Sequence, residues 1–110
     1  MDASNRPNLV GVTAGALSGL TNKGATDIFY ARFSTAGVID AAARGQGGTI
    51  KADFACASGA TNIGTTFPVG GYSSDAYTGY SVLKGIDSYI LNFNTTNGVL
   101  SVLNQFGSSN

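Results

Sequence analysis

The chain has 110 residues and a formal net charge of zero, with 43% apolar and only 11% charged residues. Its six cations are scattered among six anions, which excludes the basic stripe of a nucleic-acid-binding protein. It holds 16 glycines, no His and no Glu. Residues that fill exposed helix faces are therefore scarce, whereas Ser, Thr and Asn, which favour turns and strands, are abundant. This composition predicts an all-β protein.

Three strands are predicted in the first half, over residues 9–13, 27–33 and 38–44. The middle one alternates, with Phe29, Ala31 and Phe33 on one face and Ile28, Tyr30 and Arg32 on the other. Residues 34–37 form a predicted hairpin turn, in which Gly37 supplies a positive φ. Residues 14–26 are a long glycine-rich connection, and residues 45–48 close the unit.

Four strands are predicted in the second half, over residues 49–57, 67–73, 87–93 and 99–106. In the first of them Ile50, Ala52, Phe54 and Cys56 are expected to share a half-buried face. Asn97-Gly98 is the strongest short hairpin signal in the chain. Residues 74–86 form a second long connection.

The sequence KGATDIFYARFSTAGV (23–38) recurs as KGIDSYILNFNTTNGV (84–99). This duplication predicts a first blade-like repeat over residues 1–48, whose opening strand would lie before Met1. It predicts a complete second repeat over residues 49–110, the two together forming a single domain or part of one. The shared positions are Gly24, Asp27, Phe29, Phe33 and Gly37 in the first copy and Gly85, Asp87, Tyr89, Phe93 and Gly98 in the second.

These positions carry a resemblance to a known family. A strand ending in Gly, a variable loop, a Gly-x-x-Asp-aromatic strand, a turn with Gly and a Gly/Ser-rich end are similar to the bacterial SBBP-type β-propeller repeat. The resemblance covers about residues 9–110 and implies antiparallel four-stranded blades. It further implies a module of large secreted or cell-surface bacterial proteins, with no single assigned activity and no catalytic residues to carry over.

Two blades cannot close a ring by themselves, and an isolated pair would expose apolar faces and strand edges. The propeller interpretation therefore requires either a longer parent chain or self-association. In the second case three or four subunits would make six to eight blades. A small β-sandwich, in which the two copies pack face to face, is the alternative.

The residue types for catalysis are scarce. Without His, neither a Ser-His-Asp nor a Cys-His arrangement can form, and Cys56 is interpreted as a small buried hydrophobe. Asp27 and Asp87 are equivalent by repeat; they either cap turns at strand starts or form part of a ring of carboxylates. We expect no enzyme, no cofactor and no metal.

The leading functional hypothesis is a structural module that acts in assembly or protein interaction. The alternative is a lectin-like module whose tyrosine-bearing loop, residues 74–86, stacks on a glycan. Its candidate ligand-binding residues are Tyr72, Asp75, Tyr77 and Tyr80. No run of apolar residues approaches a membrane span, and no signal peptide is recognised. Neutral polar surfaces of this kind favour a secreted, cell-surface or assembled protein.

Overall fold

A computed structural model describes residues 4–58, 65–77, 79–80 and 86–107, without the side chains of residues 56–58. In this part of the chain seven β-strands form two antiparallel sheets, and no helix is present. The all-β prediction is confirmed.

Each sheet is a meander in which consecutive strands pair. The first sheet has the order β1-β2-β3 and the second sheet the order β4-β5-β6-β7. The first sheet contains β1 (Asn8–Thr13), β2 (Asp27–Phe33) and β3 (Ile39–Gly47), and the second contains β4 (Asp53–Ser58), β5 (Thr66–Ser73), β6 (Asp87–Asn94) and β7 (Leu100–Phe106). The sequence predicted three strands in the incomplete first repeat and four in the second, and the two sheets have these numbers of strands.

The segment between the sheets differs from its predicted form. The strand expected over residues 49–57 begins only at Asp53, because Thr49 folds back onto the Asp53 carboxylate. The Thr49 N–H lies 2.6 Å and its hydroxyl 3.0 Å from Asp53 Oδ2, which closes a tight turn. Ile50 is consequently 76% exposed instead of lying on a half-buried face. β3 in turn continues through Gly47, beyond its expected end.

Both predicted hairpin turns are present. Gly37 and Gly98 have φ values of 81° and 72°, the left-handed conformation that glycine adopts without steric cost. The Ser34 N–H donates to the Val38 carbonyl over 2.7 Å, and the Asn94 N–H donates to the Val99 carbonyl over 2.8 Å. Both hairpins therefore close through a left-handed glycine, but the β2–β3 loop encloses three residues (35–37) and the β6–β7 loop encloses four (95–98).

The long connections also begin alike, although their sequences differ. The Thr13 hydroxyl donates to the Gly15 carbonyl and accepts from the Gly15 N–H. The Ser73 hydroxyl makes the same two bonds with Asp75. A hydroxyl at the end of β1 or β5 thus starts the same local turn in each copy.

A glutamine from the last strand of each sheet then fixes the connection. Gln46 Oε1 accepts the Leu17 N–H, and Gln105 Oε1 accepts the Tyr77 N–H, both over 2.9 Å. These bonds make Leu17 the structural equivalent of Tyr77. The duplication therefore extends into loops that show no sequence match.

The core lies between the two sheets. Ile28 and Tyr30 from β2 are fully buried against the second sheet. The Tyr30 ring lies 5.5 Å from that of Phe67 and 5.4 Å from that of Phe93, centroid to centroid. Burying a large apolar side chain contributes about 1.5–3 kcal/mol, so this cluster is the main attachment between the sheets. The second sheet supplies Phe67, Val69, Tyr77, Tyr89, Leu91 and Phe93.

The two copies use opposite faces in this contact. β2 packs against the second sheet with the face that carries Ile28 and Tyr30. β6 packs against the first sheet with the face that carries Tyr89, Leu91 and Phe93. The equivalents of these residues by repeat are Phe29, Ala31 and Phe33, which lie on the other face of β2. The sheets are therefore stacked head to tail. A twofold-symmetric sandwich would bury the same face of each copy.

Candidate functional site

The outer face of the first sheet repeats the apolar positions that the second sheet buries. Val69 is 1% exposed, whereas its equivalent Leu9 is 48% exposed, because the first sheet covers only the former. Phe29 and Phe33 are likewise half-buried where Tyr89 and Phe93 are buried. We call this surface the first outer face; its members are Leu9, Leu17, Phe29, Phe33 and Ala31, of which Ala31 is itself only 2% exposed.

The second sheet has an outer face of its own. Strand register places Phe54, Tyr72, Ile90 and Phe106 on the side away from the core. Tyr72 is 37%, Ile90 41% and Phe106 54% exposed, and the Tyr72 ring stacks on Phe54 with centroids 4.9 Å apart. We call these four residues the second outer face. The polar side chains that share it are uncharged: Ser88, Asn92, Ser101 and Asn104.

Where the sheets meet, two buried carboxylates flank a glycine. Asp27 opens β2 and accepts the Lys23 N–H over 2.7 Å, while the Asp53 N–H donates to the Thr26 carbonyl over 3.0 Å. A Cβ on Gly48 would lie 2.9 Å from Asp27 Oδ1 and 2.5 Å from Asp53 Oδ2, so only glycine fits between them. We call Asp27, Gly48 and Asp53 the junction.

Burial is the main influence on the pKa of Asp53 in the junction. Asp27 and Asp53 are both 0% exposed. Burial raises the pKa of Asp53 above its ordinary value, and hydrogen bonds from Ser73 and Thr49 oppose that rise. Burial also raises the pKa of Tyr77, and the nearby Asp53 charge adds to this effect. The raised pKa keeps Tyr77 neutral at physiological pH.

A cavity of about 860 Å³ opens beside the junction. Its charged side chains are Lys23 and Asp75, and within the described residues no group of His, Cys, Asp or Glu is arranged to hold a metal ion. The lining supplies polar contacts from Lys23, Gln46 and Asp75. The remaining lining residues are Gly47, Gly48, Thr49, Ile50, Ala76, Tyr77, Leu100 and Val102.

The four candidate ligand residues do not share one surface. Tyr72 lies on the second outer face, whereas Tyr77 is 5% exposed and packs edge-on against Tyr89 at 5.4 Å. The Tyr80 hydroxyl donates to the Leu103 carbonyl over 2.9 Å. Asp75 Oδ1 accepts the N–H of Ala76. Among the three tyrosines, Tyr72 has the largest exposed fraction, since Tyr80 is half-buried and Tyr77 is buried.

The structural residues of the repeat occupy equivalent places. Asp27 and Asp87 open β2 and β6, and each is buried. Gly24 packs against the backbone of the turn at residues 49–51, where a Cβ would overlap it. Its counterpart Gly85 lies outside the described residues.

Sequence reasoning missed the two glutamines and the second outer face. Gln46 and Gln105 pair with Phe29 and Tyr89 across the hairpins, so a register count from the predicted turns would have exposed their equivalence. Ile90 was visible as an apolar residue on the polar side of β6.

The comparisons with known proteins supply no family. The sequence matches neither a protein-family model nor a curated protein. Within the described residues, no helix has the length and apolar character needed to cross a membrane.

Proposed function

We propose that this chain is a non-enzymatic assembly module whose copies bind head to tail, second outer face against first outer face, in a propeller-like ring. The observation that carries the proposal is the use of opposite faces in the contact between the two sheets. A head-to-tail contact leaves one complementary face free at each end of the stack.

The chemistry of the two faces supports this contact. Tyr30, which attaches the first sheet to the second, has Ile90 as its equivalent on the second outer face. The surface that receives Tyr30 has Leu9, Leu17, Phe29 and Phe33 as its equivalents on the first outer face. Apolar centres with few charges characterise stable interfaces, and the described residues of the second outer face include no charge.

The resemblance to the SBBP-type repeat supports ring closure over an open filament. Three or four copies of a two-sheet chain would supply six to eight blades, which lies within the range of about four to eight that propellers contain. Such a module binds its partners through assembly, as the leading hypothesis from the sequence states. A longer parent chain that supplies neighbouring sheets would cover the same two faces.

The mass of the chain in solution tests the proposal. We expect three to four times the 11.1 kDa of one chain by analytical ultracentrifugation. Ile90→Lys places a charge in the centre of the contact and should reduce the mass to that of one chain. Val99→Lys is the matched control, because Val99 is 57% exposed but lies in the hairpin turn.

A compact wild-type monomer at all concentrations would contradict self-assembly, as would equal effects of the two lysine variants. The carbohydrate alternative is tested on the same protein with a glycan array. It requires binding that Tyr72→Ala abolishes, since Tyr72 is the most exposed of the three candidate tyrosines.

A further inference from the structure

Within the described residues the first sheet has three strands and the second has four, and the second sheet shows what its additional strand, β4, contacts. β4 pairs with β5 so that Asp53 lies opposite Ser73, Phe54 opposite Tyr72 and Ala55 opposite Gly71. The equivalents of the β5 positions are Thr13, Val12 and Gly11 in β1, which is the edge strand of the first sheet.

The β1 edge has the character of a pairing site. Its sequence NLVGVT contains no charge and no proline, the features that usually block edge-to-edge pairing. Leu9 and Val12 are 48% and 42% exposed. The ring of Phe29 lies over Gly11, with Cε1 2.8 Å from the position of an added Cβ, as the ring of Tyr89 lies over Gly71.

β4 also makes a second contact, with the sheet that precedes it. Its first residue, Asp53, packs against Gly48 and Asp27 and is bonded to Thr26. The second sheet carries the counterparts of these groups. Asp87 is 1% exposed and Gly107 lies against it, since a Cβ there would be 2.7 Å from Asp87 Cγ.

The counterpart of Thr26 is Ile86, which is 63% exposed. Within the chain β4 therefore contacts both sheets. It pairs with β5 in the second sheet, and its first residue, Asp53, packs against the first sheet at the junction. Between two copies stacked head to tail, the β1 edge of one and the Asp87–Gly107 pair of the other would face the same gap.

We propose that this gap binds an extended segment of a partner polypeptide with the pattern of β4: a Ser or Thr, three residues, then Asp, an aromatic and a small residue. The segment adds to β1 as an antiparallel strand. This inference rests on the proposed assembly for the second contact, whereas pairing with β1 requires only the single chain.

The probe is a labelled peptide with the sequence of residues 49–58 carrying Cys56→Ser, measured by fluorescence anisotropy against the full chain. The Ile90→Lys protein is used first, so that failure of assembly and failure of strand addition are distinguished. We expect saturable binding of one peptide per chain.

Backbone methylation gives the sharpest readout. One peptide carries N-methyl groups at the alternate residues whose N–H groups face β1, and its partner carries them at the other residues. The first should not bind and the second should bind normally, because a strand uses only one set of its N–H groups on each edge. Equal binding of the two peptides would overturn the proposal.

Three variants of the chain locate the site. Val12→Lys should weaken binding at least about tenfold, whereas Leu103→Lys, on the opposite edge strand β7, should not. Phe29→Tyr should tighten binding about fivefold, because Tyr89 donates to the Phe54 carbonyl over 2.6 Å at the equivalent place and one hydrogen bond contributes about 1 kcal/mol.

Absence of saturable binding would overturn the inference. So would binding that Val12→Lys leaves unchanged, since the peptide would then be displacing β4 from β5. In the wild-type assembly a peptide with Asp53→Asn should bind about tenfold more weakly than the parent peptide, because the Thr49 N–H and hydroxyl would lose the carboxylate that closes the turn beside Asp87 and Gly107.

Discussion

The outer face of the first sheet and the core face of the second carry the same apolar pattern, yet only the second is buried. Leu9 and Val69, or Phe33 and Phe93, are equivalent in sequence and in strand position, and they differ in what covers them. Local sequence therefore sets which face of each strand is apolar. Burial is decided by the neighbouring sheet, and no sheet formed by the described residues covers the first outer face.

The largest expected effect comes from truncating two residues that are equivalent by repeat, one buried between the sheets and one on the second outer face. Tyr30→Ala removes a fully buried ring from between Phe67 and Phe93, and should lower the free energy of unfolding by about 3–5 kcal/mol. Ile90→Ala changes a residue that is 41% exposed and should cost less than about 1 kcal/mol in the monomer. Urea denaturation at low protein concentration measures both, and equal losses would refute the head-to-tail arrangement.

The two hairpin turns give the next comparison. Gly98→Ala places a methyl group against the Arg44 carbonyl and 2.8 Å from Gly45 N, where β3 packs on the turn. It should cost about 2–4 kcal/mol, from the positive φ together with overpacking. Gly37→Ala meets nothing within 4 Å and should cost only about 1–2 kcal/mol, the conformational part. Thermal unfolding of the two variants sharpens the comparison, which fails if the costs are the same.

The smallest expected effect is a pH dependence of the free energy of unfolding that arises from Asp53 in the junction. Because burial raises the native pKa of Asp53 above its ordinary value of 3.8, the folded protein binds this proton more tightly than the unfolded chain. The free energy of unfolding should therefore fall as the pH rises from 3.8 through the raised native pKa. Asp53→Asn should remove this fall while shifting the whole curve by a constant.

Denaturant titrations of both proteins at several pH values give the measurement. Asp75→Asn is the control, since Asp75 is partly exposed and lies outside the junction. Parallel curves for wild type and Asp53→Asn would show that Asp53 titrates alike in the folded and unfolded chains.

Most of the strands were predictable because their signals are local. The alternation in DIFYARF and the glycines of the two hairpin turns correctly placed β2, β6 and their partner strands. The predicted strand start at residue 49 was wrong because apolar and polar residues also alternate in turns. Residues 49–52 alternate, but the Asp53 carboxylate competes for the Thr49 N–H and bends the chain.

The site was much less accessible from sequence. Tyr77 and Tyr80 were candidate ligand residues because they are aromatic and lie in a loop. Gln105 draws that loop onto the sheet, which buries Tyr77 against Tyr89. Proximity of this kind joins residues 28 positions apart, and periodicity carries no information about it.

The sequence by itself determined the duplication, the all-β class, the hairpin turns and which residues share a face of each main strand, since all of these follow from spacing along the chain. Only the tertiary structure decided that opposite faces meet, that two carboxylates flank Gly48, and that β1 is left at an edge. These features depend on how one sheet is rotated against the next, and that rotation is set by the packing of Tyr30 between Phe67 and Phe93.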